Sequence, residues 1–166
     1  MNVENRPSVI QTSLMSRLNV DHWSRPGVRQ QGLSQQDFSA LTAEEHAGVT
    51  QLGNETHVTY NRHELVYSYT FDENGRLTRC ESVHEDDFPI VDTFQYDGFG
   101  RLTEHQFSGD NECIPSNEFI KHFEYPLSEP DSHYTETVET NRRVHQVERI
   151  TWEARQALRV LSREGL

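Results

Sequence analysis

A repeated sequence pattern constrains the fold of this chain more than any other feature. Residues 69–78 and 94–103 align at an offset of 25 residues, and both contain an aromatic residue, an aspartate, two further residues and then Gly-Arg-Leu-Thr. An aspartate side chain can accept hydrogen bonds from backbone amides inside a tight turn, and glycine readily adopts the left-handed conformation that such turns need. The repeat therefore predicts two stacked β-hairpins. The residues predicted to form the turns and the adjoining strand ends are Tyr69, Phe71, Asp72, Gly75, Arg76, Leu77, Tyr96, Asp97, Gly100, Arg101 and Leu102.

Alternation of apolar and polar residues predicts further strands on both sides of the repeat. β-branched and aromatic residues alternate with polar ones in the segments 56–60, 65–71, 77–84, 90–96, 102–107, 119–125, 134–139 and 144–150. This period is typical of strands with one buried face. We expect a mainly β (α+β) fold in which roughly seven to nine antiparallel strands form one twisted sheet of stacked hairpins.

Two helical segments are predicted to flank the strands. Ser34 and Asp37 have the spacing of a capping box, and a second such pair follows, which predicts one or two short helices within residues 34–47. Thr151 can cap a C-terminal helix over residues 151–164, around which we expect the sheet to be half-wrapped. The predicted buried stripe of that helix is Ala154, Ala157, Leu158 and Leu161. Residues 1–33 are predicted to form an irregular arm beside a single β-rich domain over residues 34–166.

The repeated hairpin resembles the YD-repeat family, which is also called the RHS-repeat family. Its members carry a Tyr-Asp-x-x-Gly-Arg-Leu unit in long arrays, and the resemblance here covers about residues 64–107. In that family the arrays form large β-sheet shells around toxin cargo in polymorphic-toxin systems. The resemblance implies the hairpin fold and a bacterial setting. Two or three units are too few to wind a shell, so the resemblance does not imply that this chain is one.

The charge of the chain is concentrated in its middle. Residues 71–140 contain 17 acidic residues against 4 Lys and Arg, whereas residues 141–166 carry a net charge of +3. A strong negative field repels nucleic acid and anionic membranes and attracts basic proteins. Residues 1–10 lack the apolar segment of a secretory signal, and no apolar run reaches membrane-spanning length. We therefore expect a soluble, cytoplasmic protein with a protein partner.

Residues that commonly carry catalysis occur without the spacing that catalytic or metal sites need. The nine histidines form no His-x-His or His-Glu-x-x-His pattern, and Cys80 and Cys113 have no local nucleophile motif. Without an export signal, the two cysteines are predicted to be reduced thiols. We expect no catalytic residue, no metal site and no cofactor.

These observations predict a non-catalytic, acidic binding protein of a bacterial polymorphic-toxin or secretion system. The specific expectation is an immunity or adaptor protein that binds a basic effector, of unspecified oligomeric state. Two alternatives stay open: a small metal-dependent or histidine-using enzyme, and a stand-alone YD-repeat fragment that packs against a larger array. The candidate partner-binding residues are Glu81, Glu85, Asp86, Asp87 and Asp92.

Overall fold

The protein is mainly β, as the sequence predicts. The computed structural model describes residues 14–84, 89–109, 118–126, 133–140, 143–151, 154–156 and 158–159. Nine strands form one antiparallel sheet in which each strand pairs with its neighbours in the sequence, so the described strands form a meander with β1 and β9 at its two edges. The strands are β1 (Ala47–Leu52), β2 (Glu55–Arg62), β3 (Leu65–Phe71), β4 (Leu77–His84), β5 (Ile90–Tyr96), β6 (Leu102–Gly109), β7 (Phe119–Glu124), β8 (His133–Thr140) and β9 (Arg143–Ile150).

Two short helices that lie wholly within the described residues precede the sheet, α1 (Val20–Trp23) and α2 (Gln35–Thr42), and residues 14–16 are also helical. Ser34 and Asp37 form the predicted capping box at the start of α2, with hydrogen bonds of 3.1 and 2.8 Å between each side chain and the backbone amide of the other. The prediction that helix extends to residue 47 is wrong. The helix ends at Thr42, His46 takes a φ of 69°, and the next residues form β1.

Strand β1 forms because pairing with β2 outweighs the weak local signal. Val49 lies opposite Val58, whose side chain is fully buried. Gly48 lies within this strand opposite Thr59. The six residues of β1 contain two large apolar side chains, Val49 and Leu52, which are three positions apart. This spacing lacks the period of two by which a strand is recognised from sequence.

The segment predicted to be an irregular arm supplies part of the core. Its described part, residues 14–33, contributes Leu14, Leu18, Trp23 and Leu33, each with at most 5% of its surface exposed. Trp23 packs edge-on against Phe71, with ring centroids 6.2 Å apart. We call the sheet face that these residues cover the inner face. Its buried side chains are Val58, Tyr69, Phe71, Leu77, Cys80, Phe94, Leu102, Phe123 and Tyr134.

The C-terminal segment starts as predicted and then differs. The amide of Ala154 donates to Thr151 Oγ1 at 3.2 Å, and the described residues 154–156 and 158–159 are helical. Leu158 was expected to be buried, but 53% of its surface is exposed. Two other residues of the predicted stripe, Ala157 and Leu161, lie outside the described residues. Within the described part of the chain, no helix has the length and apolarity to cross a membrane.

Candidate functional site

The two repeat turns have the same hydrogen bonds. Asp72 Oδ1 accepts from the amides of Asn74 and Arg76 at 2.9 and 3.0 Å. Asp97 Oδ1 accepts from the amides of Phe99 and Arg101 at the same two distances. The turn glycines, Gly75 and Gly100, have φ angles of 75° and 84°, where a side chain would be strained. Each aspartate therefore holds its own turn.

Tyrosines join successive hairpins. Tyr96 Oη donates to the carbonyl of Leu77 at 2.5 Å, and Tyr125 Oη donates to the carbonyl of Leu102 at 2.5 Å. Tyr125 thus repeats the role of Tyr96 one unit later, although no Gly-Arg pair follows it. Burial raises the pKa of both phenols far above its usual range. Both tyrosines are therefore neutral hydrogen-bond donors inside the protein at neutral pH.

Residues 27–33, which we call the N-terminal strap, cross the two repeat turns and reach Tyr125. The amides of Leu33 and Gln30 donate to the carbonyls of Gly75 and Gly100 at 2.8 and 2.9 Å, and the amide of Gly27 donates to Tyr125 Oη at 2.9 Å. Three extended residues span about 9–10 Å, and two strands at about 4.8 Å spacing span the same distance. The spacing of these three strap amides therefore matches the spacing of Gly75, Gly100 and Tyr125 along the sheet.

One repeat arginine contacts the strap, and the other contacts its own turn and Tyr125. Arg76 Nε donates to the carbonyl of Gln30 at 2.9 Å. Arg101 Nε donates to Asp97 Oδ2 at 2.9 Å, and its guanidinium carbon lies 4.4 Å from the ring centroid of Tyr125. The predicted turn residues thus contact the chain's own N-terminal segment, and their role in the structure is to hold the hairpins and the strap together.

The predicted partner-binding acids lie in different environments. Glu81 is on the outer face, where its carboxylate lies 3.1 Å from Arg79 Nη1. Asp92 is on the inner face with 8% of its surface exposed, and its Oδ1 is 2.7 Å from Nε2 of the equally buried His105. Glu85, Asp86 and Asp87 lie outside the described residues. The structure therefore does not bring Glu81 and Asp92 together on one surface.

A groove crosses the outer face near the end of the sheet opposite the repeat turns. We call this end of the sheet, where β4, β6 and β8 finish, the acidic end. The groove has a volume of about 410 Å³, and its lining includes Gln106, Phe107, Glu118, Phe119, Ile120, Glu139, Thr140, Arg143 and Val144. Four of these residues are directly opposite one another across β6–β9. The row of Gln106, Ile120, Glu139 and Val144 projects on the outer face, whereas the rings of Phe107 and Phe119, which stack at 5.3 Å, project on the inner face beside His105 and Lys121.

A second polar site lies on the inner face over β5–β9, where Ser24 and Pro26 of the N-terminal segment also line it. One charged or titratable residue projects there from each strand: Asp92, His105, Lys121, Glu136 and Arg149. All of these except Asp92 border a cavity of about 410 Å³, here called the inner cavity, which is also lined by Tyr134 and Arg155. Glu136 accepts a hydrogen bond from Arg149 Nε and lies 3.9 Å from Lys121 Nζ.

The single described cysteine, Cys80, has the properties of a packing residue in the core. Cys80 is 5% exposed, and burial, with a smaller effect from Asp92, raises the pKa of its thiol to about 12. A thiol that is protonated at neutral pH is a poor nucleophile. Cys113 lies outside the described residues. Within the described ranges, no three His, Cys, Asp or Glu side chains are grouped closely enough to bind a metal ion.

Sequence reasoning missed the inner cavity for a physical reason. The register of β8 and β9 is set by a short connection, so the neighbouring positions of Glu136 and Arg149 could have been derived from the predicted hairpin. The pairing of His105 with Lys121 across β6 and β7 could not, because the connection of nine residues, 110–118, is too long for its length to fix the strand register.

Comparison with models of protein families, with curated proteins and with solved structures finds no match to this chain.

Proposed function

We propose that this protein is a non-catalytic binding protein whose partner is a basic protein, held at the acidic end of the sheet. The observation that carries the proposal is the charge at this end. β4 finishes at His84 and β6 at Gly109, and Ile90 of β5 lies opposite Gly109. The two connections that leave these strand ends, residues 85–89 and 110–118, contain six acidic residues and no Lys or Arg, whereas the connection that leaves β8, residues 141–142, contains Arg142.

The groove at the acidic end suits a partner side chain that is both apolar and cationic. Glu118 and Glu139 border it, and Ile120 and Val144 lie in the same cross-strand row as Glu139. Val144 is 65% exposed, so an apolar contact is available at the surface. The long stem of an arginine or lysine can cover apolar surface while its charge meets a carboxylate. Arg143 lines the groove as well and would favour one orientation of the partner.

The resemblance of the hairpins to YD repeats supports a more specific proposal. A small acidic protein with such hairpins fits an immunity or adaptor protein of a bacterial polymorphic-toxin or secretion system, acting in the cytoplasm on a basic effector. Complementary charge would accelerate association, and screening by salt would slow it. The alternative of a stand-alone YD-repeat fragment is favoured by one observation, the exposed apolar residues of β9, and is tested separately below.

The proposal is tested by affinity capture from a native bacterial lysate with three forms of the protein. Wild type is compared with the double variant Glu118→Gln/Glu139→Gln, which neutralises the groove, and with Glu55→Gln/Glu124→Gln, which removes two acids at the opposite end of the strands. We expect wild type and the control to retain the same basic protein and the groove variant to retain about tenfold less, as expected for the loss of a charge-assisted contact. Raising the salt concentration should weaken capture. Equal capture by all three forms, or capture of no basic protein, contradicts the proposal.

A further inference from the structure

We propose that the inner cavity is a binding site for a small organic anion that carries a carboxylate or phosphate group. The inner cavity shares no lining residue with the acidic-end groove, so this inference does not depend on the proposed protein partner. Its volume of about 410 Å³ lies within the range of small-molecule sites, about 300–1,000 Å³.

The charge that lines the cavity is opposite to that of the whole chain. The chain has a net charge of −12, yet among the described residues Lys121, Arg149 and Arg155 line the cavity together with one carboxylate, that of Glu136. Asp92 is occupied by its contact with His105 at 2.7 Å. Three of the 15 basic residues of the chain therefore meet at one concave surface. An anion in this position would gain more from the cations than it would lose to Glu136.

Glu136 holds Arg149 and Lys121 in position and leaves the terminal nitrogens of Arg149 available as hydrogen-bond donors. Arg149 uses its Nε to reach Glu136 Oε2, and within the described ranges its terminal guanidinium nitrogens make no other hydrogen bond. Lys121 lies 3.9 Å from the same carboxylate and 4.9 Å from the ring centroid of Phe119, so its position is also constrained. Fixed cations lose less conformational entropy on binding a ligand than mobile ones do. An arginine fork matches the geometry of carboxylate and phosphate oxygens.

The remaining lining sets the kind of anion. Phe123 and Tyr134 give the cavity an aromatic wall, with their rings edge to face at 5.7 Å. Burial raises the pKa of the Tyr134 phenol, so its hydroxyl stays a donor at neutral pH. A ligand with an anionic group and a small apolar part would use both the cations and this wall, whereas an inorganic ion would use the cations alone.

The experiment measures binding of three probes to the full chain by calorimetry and by thermal unfolding: phenyl phosphate, citrate and inorganic phosphate. The test variant is Arg155→Gln, and the matched control is Arg159→Gln, one turn further along the same helical segment and absent from the cavity lining. Both arginines are exposed, so neither substitution should prevent folding. Lys121→Gln provides a second test variant from the other wall of the cavity.

We expect phenyl phosphate or citrate to raise the melting temperature more than sodium chloride does at equal ionic strength. Arg155→Gln and Lys121→Gln should each weaken binding about tenfold, while Arg159→Gln binds like wild type. Binding of phenyl phosphate alone identifies a phosphate ligand, and binding of citrate alone identifies a carboxylate ligand. The proposal is overturned if no probe stabilises the protein beyond sodium chloride, or if Arg155→Gln and Arg159→Gln have equal effects.

Discussion

At the scale of single residues, the turn aspartates show how a short side chain can define a hairpin. Each carboxylate accepts two amide hydrogen bonds that the turn cannot satisfy with its own carbonyls. In both hairpins the strand register shifts at the residue before the aromatic, between Thr70 and Phe71 and between Gln95 and Tyr96. The same sequence therefore produces the same irregularity twice, which shows that its cause is local.

Replacing one turn aspartate should measure this local contribution. We expect Asp72→Ala to lower the free energy of unfolding by about 1–2 kcal/mol, because two backbone amides lose their acceptor. Asp72→Asn should retain most of the stability, since its amide oxygen can accept both bonds. Glu73→Ala, at the exposed neighbouring position, is the control and should have almost no effect. Urea denaturation gives the values, and equal losses for Asp72→Ala and Glu73→Ala would contradict this account.

At the scale of elements, the strap couples distant parts of the chain. Its contacts join residues 42 to 98 positions apart in the sequence. The turns could be predicted from sequence because every interaction within them is local. The strap could not, because an extended segment with few apolar residues shows no periodicity of its own and is fixed only by carbonyl groups that the folded turns present. Trp23, by contrast, carried a usable signal, since a lone tryptophan in a polar segment is most often buried.

Gly32 is the position at which the strap is most sensitive to substitution. A Cβ atom there would lie 1.6 Å from the carbonyl oxygen of Asn74, which cannot move without disrupting the turn. We expect Gly32→Ala to destabilise the protein by about 3 kcal/mol, the upper part of the range for overpacking. Amides of residues 27–33 should then exchange hydrogen faster while those of β3 and β4 stay protected.

The matched control for this substitution is Gly98→Ala. Gly98 is also in a non-strand segment, a Cβ atom there would meet nothing within 4 Å, and its φ is not positive. Its replacement should change stability by less than about 0.5 kcal/mol. If Gly32→Ala proves as mild as Gly98→Ala, the strap does not pack on the Asn74 turn as described.

At the scale of the whole molecule, the inner face combines apolar and polar side chains. Its buried apolar residues extend from β2 to β8, and the charged residues around the inner cavity lie on β6–β9. The sequence predicted the sheet because alternation and turns are local signals. It could not predict which segment covers the sheet. Both the N-terminal segment and the predicted C-terminal helix carry apolar side chains, and the outcome depends on which of them buries more apolar area against the whole sheet. The N-terminal one, with Trp23, Phe38 and Leu41, supplies larger buried side chains than the predicted C-terminal stripe.

The open meander also leaves β9 exposed, and this permits the last prediction. Among the described strands, β9 pairs only with β8, and all of its residues are exposed, including Val144, Val147 and Ile150 at 65%, 45% and 45%. Unprotected edge strands with apolar side chains pair with other strands, so we expect the protein to associate reversibly at high concentration.

Val147→Lys should suppress this association, because a charge at an edge opposes strand pairing. Val66→Lys, at an equally exposed valine inside β3, should not. Sedimentation velocity over a concentration series distinguishes the two variants. Association that persists in Val147→Lys would exclude β9 as the contact. It would also remove the observation that favours the alternative of a stand-alone YD-repeat fragment that packs against a larger array.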